Sequence, residues 1–436
     1  MSSITLGAIG VLAALLLIAL RVPIAVALGL VSFFGIMELT NMRAALGIIT
    51  AVPFNFIGNW SFTAVPMFLL MGYVCTTSGM TQGLFKAMRV CLSRLPGGLA
   101  IASVGACSMF AAASGSSVAT ASAMARIAVP EMLRHKYDRG LATGVIAASG
   151  TLGSLIPPSI LMVLYGVYAE VSIGKLFMAG FLPGLLSAAL YILMIVARVK
   201  LTPDLAGKVE QHFTSQEKWA AIKEVWALPT LIIFVLGGIF AGFFTPTEAG
   251  AVGAFLATIL AVFRGKFSRT NFIEALTATA RGTGSIFIIL IGTIFLTKFL
   301  ALSGLPAWLA STMLSVSDSA VWIIVSVAII YIILGMFVDS IGLLLLTLPL
   351  LLPIANGADM NLIWFGIILI KLLEIGLVSP PVGLNVYVIK GAVGNSVPIQ
   401  TIFKGVGWFI VMDIVALLVI ISFPELSLYL PSIMDI

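Results

Sequence analysis

Two Pro-Pro pairs mark where this chain is equipped for chemistry. They lie in Gly153-Ser154-Leu155-Ile156-Pro157-Pro158 and Gly376-Leu377-Val378-Ser379-Pro380-Pro381, and the 436 residues hold no others. Proline lacks an N–H and evicts the carbonyl four residues back from its helical bond. Pro157 is therefore expected to free the Gly153 carbonyl, and Pro380 that of Gly376. Free carbonyls at the end of a half-helix form a negative pocket suited to a dehydrated Na⁺. Ahead of each pair lies a small polar cluster, Ala113-Ser114-Gly115-Ser116-Ser117 and Val338-Asp339-Ser340-Ile341-Gly342. The hydroxyls of Ser114, Ser117 and Ser340 are placed to complete each oxygen shell. A kink held by neighbouring helices would explain one break. Two breaks, each with its own cluster, favour a pair of ion sites.

Ionisable groups inside apolar segments are functional candidates. Asp339 could hold a cation or a proton, or cap a helix. Lys371 and Glu374 are three apart on one helix face, as an ion pair or a coupling site. Arg126 either snorkels to the interface or attracts an anionic substrate. Asn385, just past the second break, is a candidate substrate or ion contact, and Glu248 reads as a first-turn helix acid. Two histidines, His135 and His212, are too few for an ordinary zinc or haem site. Cys75, Cys91 and Cys107 imply no disulfide framework. Walker, GxSxG and HExxH motifs are absent from the sequence, which disfavours an ATP-driven pump and points to an ion gradient.

The elements that must position these residues follow from composition. The chain is 61% hydrophobic and 9% charged, with a mean hydropathy of +1.18, against about 25% charge in a soluble domain. A water-soluble enzyme is excluded. The net charge of +6 reads as membrane-orienting loop Lys/Arg rather than a nucleic-acid surface. No cleavable signal peptide is expected, because Ile4–Leu20 lacks a charged leader and runs into the next segment. Apolar segments fall at 4–20, 22–39, 61–80, 98–132, 141–165, 176–197, 226–243, 246–263, 282–302, 320–355, 362–389 and 406–423.

Segments 98–132 and 320–355 are too long for one span and too short for two, and each has its polar cluster in the middle. Both are expected to be re-entrant hairpins, tolerated where protein or a wet cavity covers them. With ten remaining spans and the N-terminus outside, 17 of the 23 Lys/Arg, Lys208 among them, face the cytoplasm. That distribution satisfies the positive-inside rule and puts both termini outside. At an offset of 223 residues, Pro157-Pro158 meets Pro380-Pro381, Ser117 meets Ser340, Gly153 meets Gly376, Pro130 meets Pro353 and Pro23 meets Pro246. The first hairpin enters from the cytoplasm and the second from outside. The expected fold is thus an all-α polytopic membrane protein of two inverted-topology repeats, each with a re-entrant helical hairpin and a broken transmembrane helix, a signature of secondary transporters.

In the first repeat, residues 1–80 are expected to form scaffold and 81–175 the transport unit. Residues 176–225 then supply a connecting helix and cytoplasmic loop. In the second repeat, 226–319 are scaffold and 320–405 transport unit, followed by a final helix with a periplasmic C-terminus at 406–436. Stretches 40–60 and 264–281 are expected as interfacial arms bracing the scaffold.

The segments AAASGSSVATASAMARIAVPEM, AASGTLGSLIPPSILMVLYG and SIGKLFMAGFLPGLL, with FTPTEAGAVGA and EIGLVSPPVGLNVYVIKG in the second half, resemble the large membrane subunit of TRAP (tripartite ATP-independent periplasmic) transporters over nearly the whole chain. The resemblance implies an elevator-type, ion-transporter-superfamily-like importer in a bacterial inner membrane, driven by Na⁺ as the coupling ion. It also implies two partners: a small four-helix membrane subunit and a periplasmic solute-binding protein that delivers an organic anion, such as a C4-dicarboxylate or a sialic or other sugar acid. Carried over, the cation sites fall on Ser114, Ser117, Gly153, Ile156 and Pro158, and on Val338, Ser340, Gly376, Ser379 and Pro381. Substrate is expected near Ser116, Pro157, Asp339, Pro380, Asn385 and Arg126. Arg126 departs from the small or neutral residue expected there, and His135-Lys136-Tyr137 replaces a Gly before the Tyr. The rival readings are a self-sufficient ion-coupled carrier and a membrane-embedded enzyme.

Overall fold

The computed structural model describes residues 2–81, 83–207, 213–317 and 319–434, apart from the side chains of Val52 and 54–57. Lys208 and His212 lie outside the described residues. Among those described, the regular structure is entirely helical. The first half contains α1 (Ser3–Ala19), α2 (Ile24–Leu39), α3 (Met42–Ile57), α4 (Ala64–Thr77), α5 (Leu84–Leu92), α6 (Gly98–Ser114), α7 (Ser117–Arg134), α8 (Arg139–Thr151), α9 (Ile160–Tyr168) and α10 (Ile173–Leu201). The linker carries α11 (Ser215–Val225). The second half contains α12 (Ala227–Phe240), α13 (Pro246–Phe263), α14 (Arg269–Ser303), α15 (Leu305–Val316), α16 (Ala320–Gly335), α17 (Ser340–Gly357), α18 (Leu362–Val378), α19 (Leu384–Val393), α20 (Ile399–Ser422) and α21 (Glu425–Ser432).

The 223-residue offset recurs in the helix bounds. Helices α7 and α17 both begin and both end 223 residues apart, and α8 and α18 begin at the same offset. One stretch departs from the sequence expectation. Residues 264–281 do not form a separate arm, because α14 runs unbroken for 35 residues from Arg269 to Ser303. Gly282 and Gly284 interrupt nothing there, since an interior glycine costs a helix only about 1 kcal/mol. In the first half the corresponding stretch is divided, into α3 and α4, at Gly58-Asn59.

Among the described residues, six helices are long and apolar enough to cross a bilayer by themselves, Trp60–Thr77, α10, α13, α14, α17 and α20, and α11 with α12, bent by 54°, makes a seventh if the pair is one broken span. The expected ten spans included 4–20, 22–39 and 226–243, whose helices have only 17, 16 and 14 residues. At ~1.5 Å per residue, α1 reaches ~25 Å, at the short end of the ~17–25 residues that a spanning helix uses. Both long segments fold back as hairpins. In the first, the Leu99 N–H near the start of α6 donates to the Tyr137 hydroxyl just beyond α7, at 3.2 Å. In the second, the Tyr331 and Thr347 hydroxyls, on opposite arms, lie 2.6 Å apart.

Packing separates a small apolar cluster from the main core. It joins Ala14, Leu28, Ile36, Ala45, Leu296, Phe299, Leu300 and Leu305, with Leu346 from α17. The main core contains the hairpins, the broken helices, α10 and α20. Where α20 crosses α8, the backbones touch: a Cβ on Gly405 would collide with the Gly140 carbonyl, whereas one on Gly407 would meet nothing within 4 Å. Gly405→Ala is therefore expected to cost about 1–3 kcal/mol through overpacking. Gly407→Ala should leave the thermal midpoint in detergent unchanged or slightly raised.

Candidate functional site

Both hairpin tips and both broken helices meet at one cavity of about 110 Å³. The first tip contributes Gly115, Ser116, Ser117 and Val118, and the second Asp339, Ser340 and Ile341. Ser154 and Leu377 come from the two breaks, Ile160 and Leu161 from α9, and Leu384 from α19. Four of these residues, Ser117, Ile160, Ser340 and Leu384, are the first residues of α7, α9, α17 and α19. Four helix N-termini thus converge on a lining that, among the described residues, includes one carboxylate, Asp339, and no basic side chain.

The first tip turns at Gly115, whose φ of 60° lies in the left-handed region. A Cβ there would also sit 2.9 Å from the Pro158 carbonyl oxygen. Ser116 then caps α7, its hydroxyl accepting from the Ala119 N–H at 3.4 Å. The Ser117 and Ser154 hydroxyls are hydrogen-bonded at 2.6 Å, one donating to the other, and the Thr151 carbonyl lies 3.3 and 3.0 Å from them to accept the remaining hydrogen. Gly153 lies against the tip backbone, with an added Cβ 3.3 Å from the Ser117 nitrogen. No hydrogen bond to the Gly153 carbonyl is found among the described residues, as Pro157 requires. Ser114 turns instead to the Thr120 hydroxyl, at 2.9 Å. Ile156, Pro157 and Pro158 are buried.

The second half differs in detail. The Gly376 carbonyl is not left free, because it accepts from the Ser379 N–H at 3.2 Å. A three-residue turn tightens the helix end there, as orphaned carbonyls commonly allow. The Ser379 hydroxyl donates to the Ile375 carbonyl at 2.7 Å. Asp339 caps α17, accepting from the Gly342 N–H at 3.0 Å. Val338 is buried, and the enclosed Ser340 hydroxyl has no hydrogen-bond partner among the described residues. Asn385 is fully buried, donating to the Ala147 carbonyl at 3.2 Å while its own carbonyl oxygen has no such partner. Pro380 and Pro381 are exposed. Both Pro-Pro bonds are cis.

Arg126 is not brought to this cavity; it stands on an exposed face of α7. Glu248 accepts from the Thr245 N–H at 2.8 Å in a capping box, as a first-turn acid should. Lys371 and Glu374 are ion-paired at 2.9 Å, but the cluster extends to Asp413, 2.6 Å from the ammonium, and to Tyr191 and Ser187. Asp413 escaped the sequence analysis, although a lone carboxylate inside 406–423 was a legible signal.

This architecture defines a fold class. The Alcanivorax borkumensis YdaH transporter superposes with a TM-score of 0.63 at 13% identity, over 89% of this chain and 90% of that one. Neisseria gonorrhoeae MtrF gives 0.56 at 13%, over 87% and 85%. Sequence narrows the class. The family described as Tripartite ATP-independent periplasmic transporter, DctM component, matches residues 11–426, and the chain belongs to it. Relatives include the C4-dicarboxylate TRAP transporter large permease protein DctM of Pseudomonas aeruginosa, 36% identical over 86% of this chain and 87% of that protein. The sialic acid TRAP transporter large permease protein SiaM of Vibrio cholerae is 32% identical, over 86% and 87%. The isethionate TRAP transporter permease protein DctMQ of Oleidesulfovibrio alaskensis is 32% identical over 96% of this chain but 64% of that protein.

The contact between first tip and first break can be tested by a matched pair of substitutions. Gly115→Ala and Gly304→Ala both put a Cβ on a left-handed residue, at φ 60° and 71°, which costs about 1–2 kcal/mol. Only the former also meets backbone, since nothing lies within 4 Å of the Gly304 position. Gly115→Ala should therefore lower the thermal midpoint more, by the further overpacking cost of about 1–3 kcal/mol.

Proposed function

We propose that this permease is a Na⁺-coupled secondary importer of a small organic anion, taken up at the cavity between the two hairpin tips. The observation that carries this reading is the convergence of four helix N-termini there. Each N-terminus carries roughly half a unit of positive charge, so four offer about two. Asp339 offsets about one of these, and among the described residues no lysine, arginine or histidine lines the cavity. A carboxylate substrate is attracted but incompletely neutralised. Sodium bound beside each tip supplies the missing charge, which makes anion binding depend on the ion.

The proposed sodium ligands of the first half are the Gly153 carbonyl and the Ser117 hydroxyl, with Ser114, Ile156 and Pro158 around them. Those of the second are the Ser340 hydroxyl and the backbone of Val338, Gly376, Ser379 and Pro381. Ser116, Asp339 and Asn385 face or flank the substrate, and Pro157 and Pro380 shape the backbone there. The buried Ser340 hydroxyl and Asn385 oxygen that lack partners support this assignment, because such atoms are costly unless a ligand satisfies them.

The small cluster around Phe299 belongs, in this reading, to the scaffold, against which the hairpins and broken helices move as an elevator. The chain sits in the bacterial inner membrane with both termini periplasmic. It works with a small four-helix subunit and a periplasmic binding protein, and the binding protein sets which C4-dicarboxylate or sugar acid is delivered.

Uptake by proteoliposomes tests the reading. Accumulation is expected only with an inward Na⁺ gradient and both partners present, and uptake without a binding protein would favour the self-sufficient carrier. Ser117→Ala or Ser340→Ala should raise the sodium concentration for half-maximal uptake about tenfold, the loss of one ligand bond at about 1.4 kcal/mol. Sodium-independent uptake would refute the coupling.

A further inference from the structure

Of the described residues that line the cavity between the tips, Val118 alone is exposed, at 43%. The cavity therefore opens on its side. The helices leading away from the cavity agree. Residues 160–166 of α9 and 342–349 of α17, which lead outward in the proposed topology, are buried throughout. Helices α7 and α19, which lead to the cytoplasm and pack against each other, each keep a face uncovered. On α7, Val118, Ala119, Arg126 and Pro130 are exposed and Ser122 is partly so; on α19, Tyr387 and Gly391 are exposed. Ala119, Ser122, Arg126 and Pro130 are three and four apart and share one side of the helix. A strip of small side chains thus runs from the mouth of the cavity to a guanidinium.

That guanidinium is uncommitted. Helices α7 and α19 carry three other charged side chains, Glu131, Arg134 and Lys390, and each is engaged. Glu131 is held by Arg89, Arg134 and His135, and Lys390 donates to the Gly394 and Val397 carbonyls. Arg126 has no hydrogen bond or ion pair among the described residues. It stands nine residues into α7, about 13 Å from the start of the helix at the cavity, and eight residues before its end at Arg134. The Cα–Cβ bonds of a helix tilt toward its N-terminus, so the side chain sets out toward the cavity and not toward the lipid headgroups. A guanidinium holds a carboxylate through two parallel hydrogen bonds.

We infer that Arg126 is an anion-binding station outside the cavity, which receives the carboxylate of the transported anion in a water-filled vestibule between α7 and α19. The direction of travel rests on the proposed import topology. Its chemistry rests on the exposed strip and the unpaired charge.

A single cysteine in the strip tests this without substrate or sodium. Ser122→Cys, one turn from Arg126, is made in the full chain with the exposed Cys91 replaced by serine, since Cys75 and Cys107 are buried. Membrane vesicles of either orientation are treated with impermeant anionic and cationic thiosulfonates. Both reagents should react from the cytoplasmic side. A unit charge about 6 Å away in water changes each rate about threefold, in opposite senses. The ratio of anionic to cationic rates should therefore exceed that of a free thiol about tenfold, and this comparison stands should a variant not fold. Arg126→Gln should abolish the excess, whereas Arg126→Lys and the control Lys136→Gln should keep it. A cysteine that neither reagent reaches would mean a face covered by lipid or protein, and would overturn the inference. A ratio unmoved by Arg126→Gln would overturn it equally, and both results leave sodium-driven import standing. Reaction from the outer side alone would overturn the inference together with the proposed topology.

Discussion

An α-helix that begins or ends inside a bilayer leaves backbone groups without partners, and water is not there to satisfy them. The rest of this molecule is arranged around that constraint. Helices α7, α9, α17 and α19 all begin at one cavity, so four helix starts meet at a single place. Just across each break, a proline removes a donor. The interior therefore holds a positive region next to carbonyls with spare lone pairs, an arrangement that straight helices cannot provide.

The two halves solve the problem unequally. In the first, both prolines are buried, the Gly153 carbonyl accepts no hydrogen bond among the described residues, and the tip is tied down through Ser117 and Ser154. In the second, the prolines are exposed, the Gly376 carbonyl is turned onto Ser379, and Ser340 has no partner. Helices α7 and α17, which share their bounds to the residue at the 223-residue offset, are thus unlike in the hydrogen bonding around them. Beside the second break, the Lys371–Asp413 pair ties α18 to α20. The second break is thus carried by a helix tied to its neighbour.

Most of the fold was legible because its signals are breakers in an apolar background. Pro157-Pro158, Pro380-Pro381 and the Gly115 and Asp339 clusters fixed the hairpins and breaks to within a few residues. The arm expected at 264–281 is not separate, because α14 runs unbroken from Arg269 to Ser303 through Gly282 and Gly284. Site residues were harder to read. Arg126 was singled out by charge alone, but the face of α7 on which it falls is decided by tertiary packing. Asp413 stands out in sequence as a lone carboxylate inside 406–423, but its partner, Lys371, lies 42 residues away and is fixed by folding. The turn that occupies the Gly376 carbonyl had no signature, since it depends on how the chain closes after the helix ends.

The central claim is that each half binds a sodium ion between its hairpin tip and its break. Equilibrium binding of radioactive sodium to the full chain in lipid nanodiscs measures this directly. The account predicts saturable binding of one ion per half, with Ser117→Ala removing the first and leaving the second. Absence of saturable sodium binding would contradict it.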